Sequence, residues 1–222
     1  MFRQLYTALT SDNALDQAFS DLTEMLDHAS WMFIRANNVL HRSAPARDVR
    51  DSIYARDRAI NELERSIRRK VLRHLTVNPG YDVAVSLALM IVAKDAERIG
   101  DYCKNVFEVG ALYTEGFNVP KYQEPLDRVS EETVEMFRMV SDACRKSDEG
   151  KAEGALVKAR DIRKQCDRVI QEMFADEDQI EFHEAVAYSL LARHYKRVAA
   201  HLANIATAVL GHVEDLDFYH ED

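Results

Sequence analysis

Val92-Ala93-Lys94-Asp95-Ala96-Glu97-Arg98-Ile99-Gly100-Asp101-Tyr102-Cys103-Lys104-Asn105 lies within a proline-free run, Tyr81 to Tyr113, in which apolar residues recur at helical spacing. At about 100° per residue, Ala88, Ile91, Val92, Ile99, Cys103 and Val106 gather on one side of a helix. Glu97 and Asp101 fall on the opposite side, among Met90, Lys94, Lys104 and Glu108. Carboxylates at i and i+4 stand one above the other, roughly 6 Å apart at Cβ, and repel unless a cation or basic partner lies between them. Asp95 falls on the apolar side, where it either bonds to a neighbouring helix or reaches solvent at a bundle rim.

Outward from this helix, proline and glycine punctuate the chain at nearly even intervals. Helical patterning runs from about Ser11, with Ser11 or Asp12 as N-cap, to His41, with Leu15, Phe19, Leu22, Leu26, Phe33 and Leu40 on one face. Met25, Trp31, Met32 and Phe33 read as core. Pro45 opens a second helix to about Thr76, and Asn78-Pro79-Gly80 turns the chain into the third. Gly116, Pro120 and Pro125 make the longest break. A fourth helix is predicted from about Pro125 to Lys146, a fifth to about Phe174, and a sixth, capped by Asp176-Glu177-Asp178, to about Gly211. No stretch alternates at period two for long enough to form a sheet.

The halves repeat. Ala93 to Tyr102 aligns with Ala192 to His201, Asn105 then meets Asn204, and Asp57 to Asn61 aligns with Asp167 to Gln171. A repeat of three helices predicts an all-α protein of two tandem antiparallel three-helix bundles, residues 1–116 and 121–222, jointly elongated.

Seven glycines, four prolines and 47% hydrophobic residues among 222 suit long helices with short connections. No run approaches about 18 consecutive apolar residues, so no membrane span is expected. Met1 to Thr10 lacks the pattern of a secretory signal, and Cys103, Cys144 and Cys166 are odd in number and unpaired by spacing, which points to a reducing cytoplasm. A net charge of -9 argues against nucleic acid. Arg65, Arg68, Arg69, Lys70 and Arg73 follow acids in the chain and read as a solvated helix edge.

Glu97-Arg98-Ile99-Gly100-Asp101, followed by Asn105, resembles the Glu/Asp-x-x-x-Asp signature of the PhoU family of phosphate-signalling regulators. Asp57-Arg58-Ala59-Ile60-Asn61-Glu62-Leu63-Glu64 is similar to the segment that family places on the preceding helix. The resemblance covers nearly the whole chain and implies the same duplicated bundle.

On the second helix Arg50, Asp57, Asn61, Glu64 and Arg68 form one stripe; the third presents Glu97, Asp101 and Glu108. Brought together by antiparallel packing, they make a patch of hard oxygen ligands suited to Mg, Mn, Ca or Fe. The alternative is a solvated face on which Lys94, Arg98 and Lys104 balance the acids. The resemblance implies metal ions (Fe, Mn, Mg or Zn) at Asp57, Glu97 and Asp101, with Asn61 and Glu64 as further ligands. In the second half Lys196 and Ala200 replace the carboxylates, so a cation is expected opposite Asp167 and no metal. His194 and His201, two turns apart, read as core-edge histidines with local hydrogen bonds.

The chain has no Gly-rich phosphate loop, no Glu-x-x-His pair and no Ser/His/Asp or Cys/His set at a recognisable spacing, so an enzyme is not expected. The resemblance implies a cytoplasmic regulator that docks on a phosphate transporter component or a sensor histidine kinase, reaching the membrane only through that partner. A metal-free helical adaptor and a carboxylate-bridged metal enzyme are the other classes. Tyr6, Phe117, Tyr122, Phe218 and Tyr219, near ends or breaks, suggest a homodimer or a heterologous docking surface.

Overall fold

The computed structural model describes residues 14–176, 180–212 and 216. Six helices follow in order: α1 (Ala14–Leu40), α2 (Ala46–Val77), α3 (Val83–Leu112), α4 (Pro120–Lys146), α5 (Glu149–Ala175) and α6 (Phe182–Leu210). Among the described residues there is no strand. The expected N-cap of the first helix lies outside them.

The helix ends follow local chemistry. Arg42 takes a left-handed φ of 57° after α1, and Gly80 one of 89° after α2, where the missing Cβ makes that conformation easy. Asp148 caps α5 by accepting from the Lys151 backbone N–H at 3.0 Å. Two boundaries differ from the sequence reading. α4 begins at Pro120, which sits at its first position, and Pro125 lies inside the helix. The added turn is held by Tyr122, which is buried and hydrogen-bonded to Asp176; the Pro125 ring costs one backbone hydrogen bond close to an end where several are missing anyway. The cap of α6 is Glu181, whose carboxylate accepts from the Glu184 N–H at 2.8 Å. Asp176 instead ends α5 and holds Lys121 and Tyr122; Glu177 and Asp178 lie outside the described residues.

α1, α2 and α3 pack on one another, as do α4, α5 and α6. The two units meet through α3 against α6 and α1 against α4. On α3, Asp95 reaches His201 and Asn204, whereas Tyr102 stacks over His201 and lies beside His194. Rising numbers on α3 therefore meet falling numbers on α6, and the helices run antiparallel. Because Asp95 matches His194 and Tyr102 matches His201 in the repeat, these contacts are related by an approximate two-fold axis between the halves. That arrangement makes α2-α3-α6-α5 one layer, with α1 and α4 behind it.

The units share a core. The Phe33 ring lies 5.7 Å from Phe137 and 5.4 Å from Tyr195, and the Tyr195 hydroxyl donates to Asn37 across the junction. Met25, Met32 and Phe33 are fully buried as expected. Trp31 is only partly buried, because it sits at the α1–α2 margin with the Arg56 guanidinium 3.8 Å from its ring centroid. Of the residues expected at an association surface, Tyr122 is inside, at 1% exposed, and Phe117 is half-buried, packed at 4.8 Å on Tyr188. Tyr6, Phe218 and Tyr219 lie outside the described residues.

Candidate functional site

Beneath the acidic patch α2 and α3 approach closely, for a Cβ on Gly100 would stand 2.8 Å from Ile60 Cδ1. This contact sets Asp57 of α2 beside Asp101 of α3. The group between them is an ammonium: Lys104 Nζ donates to Asp57 Oδ1 at 2.9 Å and to Asp101 Oδ1 at 3.1 Å. Burial alone would lower the Lys104 pKa, but the hydrogen bonds and charges of Asp57 and Asp101 more than offset it and hold it above its ordinary value.

Glu97 turns to its own helix, 2.7 Å from Lys94 Nζ and 3.9 Å from Arg98 Nε, while Arg98 also lies 3.5 Å from Asp101. Asn61 is half-buried one turn beyond Asp57. Glu64 is buried and accepts from Arg68 at 2.6 Å. Glu108, at the far end of the stripe, accepts from the Tyr54 hydroxyl at 2.8 Å, and that bond raises the Tyr54 pKa.

In the second half Lys196 faces Asp167 with a hydrogen bond of 2.5 Å, as the residue pattern requires. Asp95 crosses between the halves, bonded to His201 at 2.7 Å and to Asn204 at 3.1 Å. Burial, aided by Arg193, depresses the His194 pKa, and its Nδ1 is buried without a hydrogen bond. Cys103 and Cys166 are buried and Cys144 partly so; desolvation pushes the Cys144 and Cys166 thiols up to about 12, and Cys103 higher still, so none is a ready thiolate.

Two surface features escape the reading from sequence. Phe182, Val186 and Leu190 of α6, with Leu112 of α3, form an exposed apolar patch; their i, i+4, i+8 spacing was the available signal, masked by the longer apolar pattern of the same helix. A cleft of about 750 Å³ opens between α5 and α6 in the second half.

A model of the PhoU domain matches residues 22–109 and 126–209, which covers both repeats. The chain belongs to the PhoU family. Its fold is similar to that of PhoU from Pseudomonas aeruginosa, with a TM-score of 0.79 at 21% identity over 89% of this chain and 95% of that one. It is also similar to the phosphate transport system regulatory protein PhoU from Streptococcus pneumoniae, with a TM-score of 0.71 at 20% identity over 90% and 96%. The chain matches no curated protein. These likenesses carry the fold.

The metal implied by the family can be set against these residues. The donor chemistry suits a hard cation, but the placement does not: among the described residues no group of three or more His, Cys, Asp or Glu is positioned to hold a metal ion. The Lys104 ammonium already donates to both Asp57 and Asp101, and Glu64 accepts from Arg68. As arranged, the four carboxylates among the five expected ligands are each paired with a basic side chain, and the set does not fit a metal ion.

Proposed function

We propose that this PhoU-family chain regulates phosphate transport or phosphate signalling at the cytoplasmic face of the membrane, by docking on a phosphate transporter component or a sensor histidine kinase. The observation that carries this reading is the family match across both halves of the duplicated bundle. Among the described residues no helix is long and apolar enough to cross a membrane, which accords with attachment through a partner. The exposed Phe182, Val186, Leu190 and Leu112 supply apolar area for such a contact, and the same area could pair two copies of the chain.

The ion pairs of the carboxylate patch favour a metal-free form of this role. Lys104, Lys94 and Arg98 already compensate Asp57, Asp101 and Glu97, so docking needs no divalent ion to quench their repulsion. The test is direct binding of the purified chain to detergent-solubilised phosphate transporter and to the kinase's cytoplasmic region, with sedimentation to score self-association. Binding is expected to one of them, weakened about tenfold or more by Phe182→Ser with Leu190→Ser, with helix content unchanged. Absence of binding to both, in chelator and in manganese alike, refutes the docking reading.

A further inference from the structure

The cleft between α5 and α6 is a basic island on an acidic protein. Arg163 of α5 and Arg193, Lys196 and Arg197 of α6 line it, in a chain whose net charge is -9. Its one acid, Asp167, is paired with Lys196. Arg193 and Arg197 are exposed, and neither has an ion pair or hydrogen bond with a described residue. They stand at i and i+4, where like charges destabilise a helix slightly unless an anion lies across them.

The space has a cause in the repeat. Where the first half carries Asp101 the second carries Ala200, and with Ala159 and Ala192 it gives the cleft a floor of short side chains. The resulting volume falls within the range of sites for ligands of cofactor size and far exceeds what a lone oxyanion fills. At one end stands Phe174, whose side chain lines the cleft while being 88% exposed. The short connection makes α5 and α6 antiparallel and the Lys196–Asp167 contact sets their register, so Phe174 lies at the Ser189 end and Arg163 at the Ala200 end, with Arg193, Lys196 and Arg197 between. From Phe174 to Arg163 is roughly 16 Å along α5 at about 1.5 Å per residue.

We propose that this cleft binds a nucleoside polyphosphate, with its base on the Phe174 ring and its phosphates across Arg193, Lys196 and Arg197. Guanidinium groups match phosphate oxygens with paired, charge-assisted hydrogen bonds, and an open aromatic face stacks on any base. The inference goes beyond the docking role, and its test involves no transporter or kinase.

The test is calorimetric titration of the full-length chain with ATP, inorganic phosphate and adenosine in separate arms, in chelator. ATP should saturate one site per chain, with affinity falling as salt rises, and phosphate and adenosine should each bind at least about tenfold more weakly. Arg193→Ala with Arg197→Ala should cost about tenfold or more, and Phe174→Ala about fivefold or more for ATP but nothing for phosphate. All three side chains are exposed, so circular dichroism should be unchanged, which separates lost binding from lost fold. The proposal is overturned by no binding at about 1 mM ATP, by binding indifferent to the arginine pair, or by phosphate binding as tightly as ATP.

Discussion

Replacing Lys104 tests whether the carboxylate patch is closed by a side chain or awaits an ion. Lys104 is 20% exposed, Asp57 14% and Asp101 31%, so the bridge is mostly shielded on the α2 side and screened by water on the α3 side. Lys104→Ala removes two charge-assisted hydrogen bonds and leaves the carboxylates facing each other. A charge-assisted bond contributes about 1.5–3 kcal/mol when shielded and about 0–1 kcal/mol when exposed. Discounting the Asp101 arm for exposure, a loss of about 1–2 kcal/mol is expected, or about 2–8 °C in melting temperature at this chain length. Lys104→Met keeps the alkyl stem over the α2–α3 contact and isolates the charge. Both variants should respond to metal. With the ammonium gone, manganese should stabilise the fold by up to about 2.7 kcal/mol at a hundredfold excess over Kd, read as a higher melting temperature. The natural chain should melt alike in manganese and in chelator. Elemental analysis after gel filtration gives the second readout. Stoichiometric metal on the natural chain, lost on Glu97→Ala with Asp101→Ala, would refute the closed patch and restore the ligand set that the family resemblance implies.

Three further outcomes are expected. Tyr195→Phe should destabilise the chain by about 1–2 kcal/mol in thermal unfolding, because it leaves Asn37 Oδ1 buried without its donor at the junction of the halves. Stability should fall as the pH drops below about 6.5, the ordinary histidine value, since burial keeps the folded His194 neutral while the unfolded chain takes up the proton first; Arg193 reinforces this and Glu108 opposes it. His194→Phe should flatten the slope of melting temperature between pH 7 and 5; an unaltered slope would remove His194 as its source. Gly100→Val should cost about 1–3 kcal/mol by forcing Ile60 off its seat between α2 and α3, and a variant as stable as the natural chain would show that this contact is slack.

The fold was legible because it rests on periodicity. Leu15, Leu22, Leu26 and Phe33, or Val92, Ile99, Cys103 and Val106, recur at a spacing only a helix can bury on one side, and all are in the core. Duplication was legible because the Asp57 and Asp167 segments share a register. Asp95 was legible as a misfit: a carboxylate on an apolar face needs a partner, and His201 and Asn204 supply it. Less legible were features set by the distances between helices. Spacing puts Glu97 and Asp101 on one face but does not say whether Lys104 turns inward to Asp57, which depends on how closely Gly100 lets α2 approach. Pro125 misled because a proline near a helix start costs little, so the buried Tyr122 upstream decides where α4 begins. Tyr122 misled for a related reason: a residue near a break looks exposed until the break itself folds, here against Asp176 and Tyr188.

The two halves solve one electrostatic problem from different positions. Asp57 and Asp167 occupy the same place in the repeat, and each is met by a lysine from the neighbouring helix. Lys196 stands at the position of Glu97 itself, whereas Lys104 stands two turns further along, at a place the second half gives to Ala203. What the repeats share is therefore the neutralised aspartate and not a particular basic residue. Their surroundings have diverged, to acids compensated by bases on α2 and α3 and to Arg193 and Arg197 on α6, which have no ion pair with a described residue. The approximate two-fold axis sets both patches on the one layer, α2-α3-α6-α5. A partner reading a truly symmetric layer could seat itself in two orientations of equal energy. The uncompensated Arg193 and Arg197, present on one half only, make one of those orientations place a partner's basic groups against like charge, at a cost that selects the other. Divergence of the repeats thus converts a duplicated face into one with a single register. Exchanging Lys196→Glu with Ala200→Asp, which restores the acids of the first half, should weaken that discrimination without touching the core.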